Sequence, residues 1–317
     1  MRNAYLIAAG AGFVSALAFV SAMMGSPFTS FFLFLIAALP IFIAGIGWTW
    51  AAALLATAVG SLLLVGMGAK DAAMVYAGTL GMPAILLTQL AEQYRDQPDG
   101  RGGTEKYWAP PGLLVLLAAL LASLISVALV SALHDNLPAV REEVGKLIKN
   151  TPQISGNQDL TAAQITQITD IVVFMVPAAA AMVPMIASLL NLWLAGRITL
   201  ASGQLRRPWP DIPSMRFPRG TPLVLAAAAA ASASLDGVAG MVAIAVFGAF
   251  FIAYLLLGLA VIHYLTRGKS WRPFALSTVY IGLFLVNIWL AIPIILLGLV
   301  DTVFALRGPP PAGSGPT

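Results

Sequence analysis

The segment from Ile171 to Gly220, IVVFMVPAAAAMVPMIASLLNLWLAGRITLASGQLRRPWPDIPSMRFPRG, decides how the rest of the chain is read. Its first half belongs to an apolar run from about Ile168 to Leu194, longer than the roughly 20 residues a helix needs to cross a bilayer. Its second half carries five arginines, at 197, 206, 207, 216 and 219, among prolines and aromatic residues. A spanning helix that runs into a short basic loop marks a polytopic membrane protein, and Lys and Arg in short loops hold that side in the cytoplasm. Composition agrees: the chain is 59% apolar and 9% charged with a mean hydropathy of +0.89, well outside the soluble range.

Apolar runs recur outward from that segment. Ala4 to Met24 exceeds the roughly 7–15 residues of a signal-peptide core and reads as an uncleaved first span. Phe31 to Met67 is too long for one helix and breaks at Gly45-Ile46-Gly47-Trp48, giving spans two and three. Span four, about Ala72 to Leu90, is interrupted by Gly78, Gly81 and Pro83 and ends in the polar EQYRDQPDGRGGTEKYW, and span five is Gly112 to Leu133. With Ile168 to Leu194 as span six, Thr221 to Leu265 divides around Asp236 into Pro222 to Leu235 and Val238 to Leu265, and Phe274 to Val300 forms the last crossing. The expectation is an all-α polytopic transmembrane bundle of nine spans. It becomes eight if Thr221 to Leu265 holds one span and a re-entrant piece, and the two versions place the C-terminus on opposite sides.

One water-soluble piece stands out, the insert 134–167. Its DNLPAVREEVGKLIKN puts Leu137, Val140, Val144, Leu147 and Ile148 on one helical face, with Asn136 at the cap position and Pro138 in the first turn. It reads as an extracytoplasmic helix on the membrane surface or over the bundle mouth, a solvated connector being the plainer alternative. Arg2, the 95–106 segment, the 197–220 loop, and Arg267, Lys269 and Arg272 then share the cytoplasmic side, with the N-terminus. Residues 1–307 form one transmembrane domain, and the Pro/Gly-rich tail 308–317 reads as disordered.

The functional signals are sparse. A net charge of +4 would suggest nucleic acid in a soluble domain, but here the basic residues lie between spans, so no nucleic-acid partner is expected. With no cysteine and only His134 and His263, thiolate and histidine metal sites are excluded, and no cofactor is expected. No GxSxG, HExxH or P-loop lysine motif is present, so the chain reads as a non-enzyme that cannot draw energy from ATP by itself. Polar residues at depth are ligand candidates: Asn287, Thr79 and Gln89. The i+4 stripe Ala4, Ala8, Gly12 and Ala16 lets another backbone approach closely, and AAAAAASAS from Ala226 to Ser234 offers a second such surface. Arg206, Arg207, Trp209, Arg216 and Arg219 exceed what orientation alone requires and read as a surface for membrane lipids or a protein partner.

Together LPIFIAGIGWTWAAALLATAVGSLLL, NLWLAGRI, RRPWPDIP, GLAVIHYL and LLGLVDTVFALR resemble, in order and over nearly the whole chain, the YybS-like family of bacterial membrane proteins, a domain of unknown function. That family is distantly similar to the S-components of energy-coupling-factor transporters and to the shape-determining protein MreD. The resemblance implies a bacterial inner-membrane protein. On the S-component model it binds a small molecule or lipid between helices and docks, through the stripe at 4, 8, 12 and 16, on a transmembrane coupling subunit. On the MreD model it is a scaffold for an envelope-assembly protein.

Overall fold

The computed structural model describes residues 2–98, 103–133, 136–150, 160–286 and 288–308. Among these, six helical segments are long and apolar enough to cross a membrane: Ala4–Met24, Phe28–Gly47, Lys70–Glu92, Pro111–Ala132, Ala162–Ala201 and Gly237–Leu265. Shorter apolar helices fill the remaining runs. In chain order the elements are α1 (Arg2–Met24), α2 (Pro27–Ala37), α3 (Leu39–Gly47), α4 (Trp50–Gly66), α5 (Lys70–Tyr76), a π-helical turn (Ala77–Gly81), α6 (Met82–Glu92), β1 (Tyr94–Pro98), β2 (Thr104–Trp108), α7 (Pro111–Leu133), α8 (Leu137–Asn150), α9 (Ala162–Ala201), α10 (Thr221–Ser234), α11 (Gly237–Leu265), α12 (Arg272–Val286) and α13 (Ile288–Phe304).

The breaks have local causes, the one at Ala38 beyond those expected. Pro40 has no N–H and suits a first helical turn, so α2 stops and α3 begins around Ala38. Two carbonyls at that break are satisfied from neighbouring helices: Asn191 Nδ2 donates to Leu35 O and Ser15 Oγ to Ala37 O, each at 2.7 Å. Gly78, Gly81 and Pro83 interrupt the fourth span, which widens into the π turn between α5 and α6. The chain turns at Trp48 and Thr49 before α4.

Small residues let the helices approach. A Cβ at Gly12 would collide with the Ala56 carbonyl, and one at Gly258 with that of Ile294, so α1 lies backbone to backbone on α4, and α11 on α13. One apolar core runs through both halves of the bundle, with Phe42, Tyr76, Met185 and Tyr254 among its fully buried side chains.

Three expectations change. The polar stretch after α6 is not a plain loop: β1 and β2 pair antiparallel, with Tyr94 opposite Trp108 and their rings 5.1 Å apart, one small β element in an otherwise helical bundle. The span expected from 168 to 194 is a 40-residue helix that begins inside the stretch expected as a water-soluble insert. Thr161 caps it with a reciprocal Gln164 bond, and α8 packs there, with Arg141 paired to Asp170 at 2.8 Å. The last apolar run is two helices, α12 and α13, on either side of residue 287, each shorter than the span expected there. The two leave from and return to one face, because Arg272 follows the end of α11 while Arg307 bonds to Pro213 and Met215 in the loop after α9. Residue 307 therefore lies on the Arg-rich face. Thr221 to Leu265 holds two packed helices, α10 and α11.

A basic strap and an apolar groove as candidate functional site

Residues 202–220 cross one face of the bundle as an extended strap with a single 3-10 turn at Ile212–Ser214. Prolines at 208, 210, 213 and 218 fix φ and remove donors, which suits a segment that pairs with no strand. α3, α6 and α11 all end on this face, and a helix C-terminus exposes unpaired carbonyls and the negative end of the helix dipole. The strap supplies guanidinium groups at the ends of α3 and α6, and a carboxylate beside the end of α11. Arg206 donates to the Trp48 carbonyl at the end of α3 and lies 3.7 Å from Glu92. Arg207 donates to Ala91 O at the end of α6 and to Ala109 O, both at 3.1 Å, while standing 5.8 Å from the Trp108 ring. Asp211 pairs through both carboxylate oxygens with Arg267, just past α11.

The C-terminal clasp is the most enclosed part. Arg307 meets Asp301 with Nε at 3.1 Å and Nη2 at 2.6 Å, and donates to Pro213 O and Met215 O at 2.7 Å each. Both side chains are sealed from solvent, at 0% and 2% exposure, so this is a buried ion pair with its remaining donors satisfied. Arg216 reaches back to the Arg307 carbonyl at 3.3 Å. Phe217 is buried edge-on against Tyr254, whose hydroxyl meets Thr221 at 2.7 Å.

Arginines on and around the strap divide into two sets. Arg206, Arg267 and Arg307 have carboxylate neighbours; Arg197, Arg207, Arg216 and Arg219 have none among the described residues. Burial pulls the Arg207 pKa below its usual value, though a guanidinium stays charged. The hydrogen bond to Arg267 holds the Asp211 carboxyl below the usual range, and the same bond pushes the Arg267 pKa up.

Toward the Asp236 end of α11, α10 and α11 leave an open apolar groove of about 560 Å³, walled by Leu223, Ala227 and Ala231 on one side and Ala239, Val242 and Val246 on the other. The groove exists because the alanine run of α10 supplies too little side-chain bulk to close it. A cavity of only about 20 Å³ lies under α8, between Val140, Val173 and Met241. No group of three or more His, Asp or Glu side chains among the described residues could hold a metal ion.

The residues singled out in the sequence are distributed as follows. Ala8, Gly12 and Ala16 are buried, and Ala4 is half-buried at the start of the same stripe; Gly12 lies on α4, so the close approach that the stripe permits is made inside the chain. Arg206, Arg207 and Arg216 hold main-chain carbonyls of the protein itself, Trp209 packs over Gly196 with Arg197 5.3 Å from its ring, and Arg219 is exposed. Thr79 turns inward to its own helix, donating to Val75 O at 2.7 Å, and Gln89 is half-buried further along the same element. Asn287 and the tail beyond 308 lie outside the described residues. The helices bordering 287 do not share the surroundings of Thr79 and Gln89: α13 packs on α11, whereas α6 packs mainly on α3 and α4. The Asp301–Arg307 clasp is not visible in sequence periodicity, and its only signal is an acid and a base six residues apart across the end of the last apolar run.

No curated protein and no solved structure matches the chain. A family model does, from residue 13 to residue 302, a range that takes in the helical bundle, the strap, the groove helices and Asp301. The protein is thus an integral membrane protein of the DUF2232 family of predicted membrane proteins, consistent with the YybS-like resemblance in its sequence.

Proposed function

We propose that the protein is a non-catalytic, transport-related component of the bacterial inner membrane that holds a lipid or lipid-like molecule between α10 and α11 and relies on a partner for energy. The observation that carries this reading is the groove: an apolar trough of about 560 Å³, open at the side of the bundle, walled by alanine, valine and leucine. Lipid tails fit such a wall because neither surface has a polar group to desolvate. The lack of a P-loop lysine motif in the sequence supports the reliance on a partner.

The test is the lipid that stays with the protein through purification in mild detergent, read by native mass spectrometry. Ala231→Phe places a ring in the groove and is expected to remove most of the retained lipid while leaving insertion and monodispersity unchanged. Unchanged retention would refute the reading. The alanine wall also favours the scaffold alternative, since small residues admit a partner's helix. In that case native membranes yield a stoichiometric membrane protein in place of lipid, and Ala231→Phe releases it.

A further inference from the structure

We propose that α12 is an in-plane anchor in the strap-side leaflet: the helix lies along the membrane without crossing it, and its partner is the lipid of that leaflet. This does not depend on the reading of the groove. The register of α13 on α11 carries the argument. A Cβ at Gly258 would meet Ile294, one at Gly298 would meet Tyr254 and Gly258, and Thr302 stands beside the Tyr254 hydroxyl. Residue numbers rise along α13 as they fall along α11, so the two helices are antiparallel. Ile288, six residues before Ile294, therefore starts α13 about 9 Å nearer the strap end of α11, beside its last turn.

The whole of α12 is held at that end. Its start follows α11 through two turn bonds, in which Lys269 N donates to Thr266 O and Arg272 N to Lys269 O. Its middle is fixed by a hydrogen bond of 2.8 Å between the Tyr280 hydroxyl and His263 Nε2, in the last turn of α11. Its end, Val286, leads directly into the start of α13. A helix whose start, middle and end share one level lies in the plane. No residue of α12 is buried. Ala275, Val279 and Leu283 are half-buried on the side toward the bundle, while Phe274, Ile281, Phe284 and Leu285 form an exposed outer face, Phe284 at 86%. Lipid tails cover such a face with no polar group to desolvate. Trp271 and Trp289 flank the helix and are both exposed, and tryptophan settles at headgroup level. Lys269 and Arg272, with no carboxylate neighbour among the described residues, bring positive charge to the level of the lipid phosphates.

The test uses the full chain, which has no cysteine, with single spin labels at Phe274→Cys, Ile281→Cys, Leu285→Cys and Trp289→Cys, in vesicles of palmitoyl-oleoyl phosphatidylethanolamine and phosphatidylglycerol. Collision with oxygen, set against collision with a water-soluble nickel chelate, gives the depth of each label. The expected result is a common depth for 274, 281 and 285, about 5–10 Å below the headgroups, with 289 no deeper. An upright helix would instead separate 274 from 285 by about 16 Å and carry 281 toward the bilayer centre, about 15 Å down, and that profile overturns the proposal. Little oxygen collision at all three positions overturns the lipid assignment, because protein, such as a second copy of the chain, would then cover the face. A label-free measurement guards against a substitution that disturbs the fold. The fluorescence lost between the native chain and Trp289→Phe should be quenched more by lipids brominated near the headgroup than by lipids brominated at the chain end, and the reverse order overturns the proposal.

Discussion

Replacing Arg307 by leucine is expected to be among the most damaging single changes outside the apolar core. The substitution leaves the Asp301 carboxylate sealed from solvent with no counter-charge, and removes the donors that now meet Pro213 O and Met215 O at 2.7 Å. Removing one partner of a buried pair costs about 3–5 kcal/mol, and each orphaned carbonyl adds about 1–3 kcal/mol where water cannot reach it. These terms overlap, so a loss of about 4 kcal/mol or more is expected, close to a thousandfold in the folded-to-unfolded ratio. Asp301→Asn should cost less, because Arg307 keeps both carbonyls and gains an amide oxygen. The double change Asp301→Leu with Arg307→Leu should fall between the two: no buried charge remains, but the carbonyls are still unmet. Reversible denaturation in bicelles, followed by tryptophan fluorescence, gives all three values. Equal losses for the two single changes, or losses under about 1 kcal/mol for both, would refute the buried-clasp argument and make the pair an ordinary surface bridge.

Gly12→Leu should prevent accumulation of monodisperse protein, since even a Cβ there strikes the Ala56 carbonyl, whereas Gly10→Leu, with nothing within 4 Å, should behave as the native chain in size-exclusion chromatography. The chain has no cysteine, so Ser314→Cys and Ser202→Cys can each be labelled alone with a membrane-impermeant maleimide; both should label from the same side, and opposite sides would restore the single last crossing. Asn191→Leu should cost about 1–2 kcal/mol in the same bicelle assay, near the upper end for a hydrogen bond between membrane helices, because its amide meets Leu35 O and Ala187 O at 2.7 Å each. The Asp211 carboxyl titrates below its unfolded value, so its pair with Arg267 contributes fully above the ordinary aspartate range near 3.9 and is lost as pH falls through the lowered value. Native and Asp211→Asn chains should therefore differ by at most about 1 kcal/mol at neutral pH, given the exposure of the pair, and converge in acid; a gap that persists there would refute it.

Helix existence and most breaks were legible because they depend on local chemistry: apolar length, glycines around the π turn, and Trp48 before α4. What was not legible depends on contacts between distant segments. Phe274 to Val300 has the length and apolarity of one crossing. It is divided because α13 packs on α11 through Gly258 and Gly298 while Arg307 joins the strap, and none of these contacts alters the local hydropathy. The same applies to β1 and β2, where a polar, glycine-rich stretch looks like loop until Tyr94 faces Trp108. Of the candidate site, the alanine run of α10 was visible as a small-residue surface, but its partner wall on α11 was not. Thr79, Gln89 and Asn287 were selected for polarity at depth, and one-dimensional depth carries no information about which helices are neighbours.

The strap also changes what an arginine scan can show. A basic loop after a span is normally read as an orientation signal, for which one arginine serves as well as another. Here the positions are not equivalent, because α3 and α6 end beneath the loop with carbonyls that Arg206 and Arg207 meet, while past the end of α11 Arg267 donates to Asp211 of the loop. Neutralising Arg206, Arg207, Arg216 and Arg219 together would unfasten helix ends and remove a docking charge in the same experiment, so loss of any binding would have two explanations. Arg219 is separable: it is exposed, and among the described residues it has neither a hydrogen-bond partner nor a carboxylate neighbour. A binding defect confined to Arg219→Gln, with stability unchanged, therefore reports on recognition, whereas the same defect in Arg207→Gln reports first on how α6 is held.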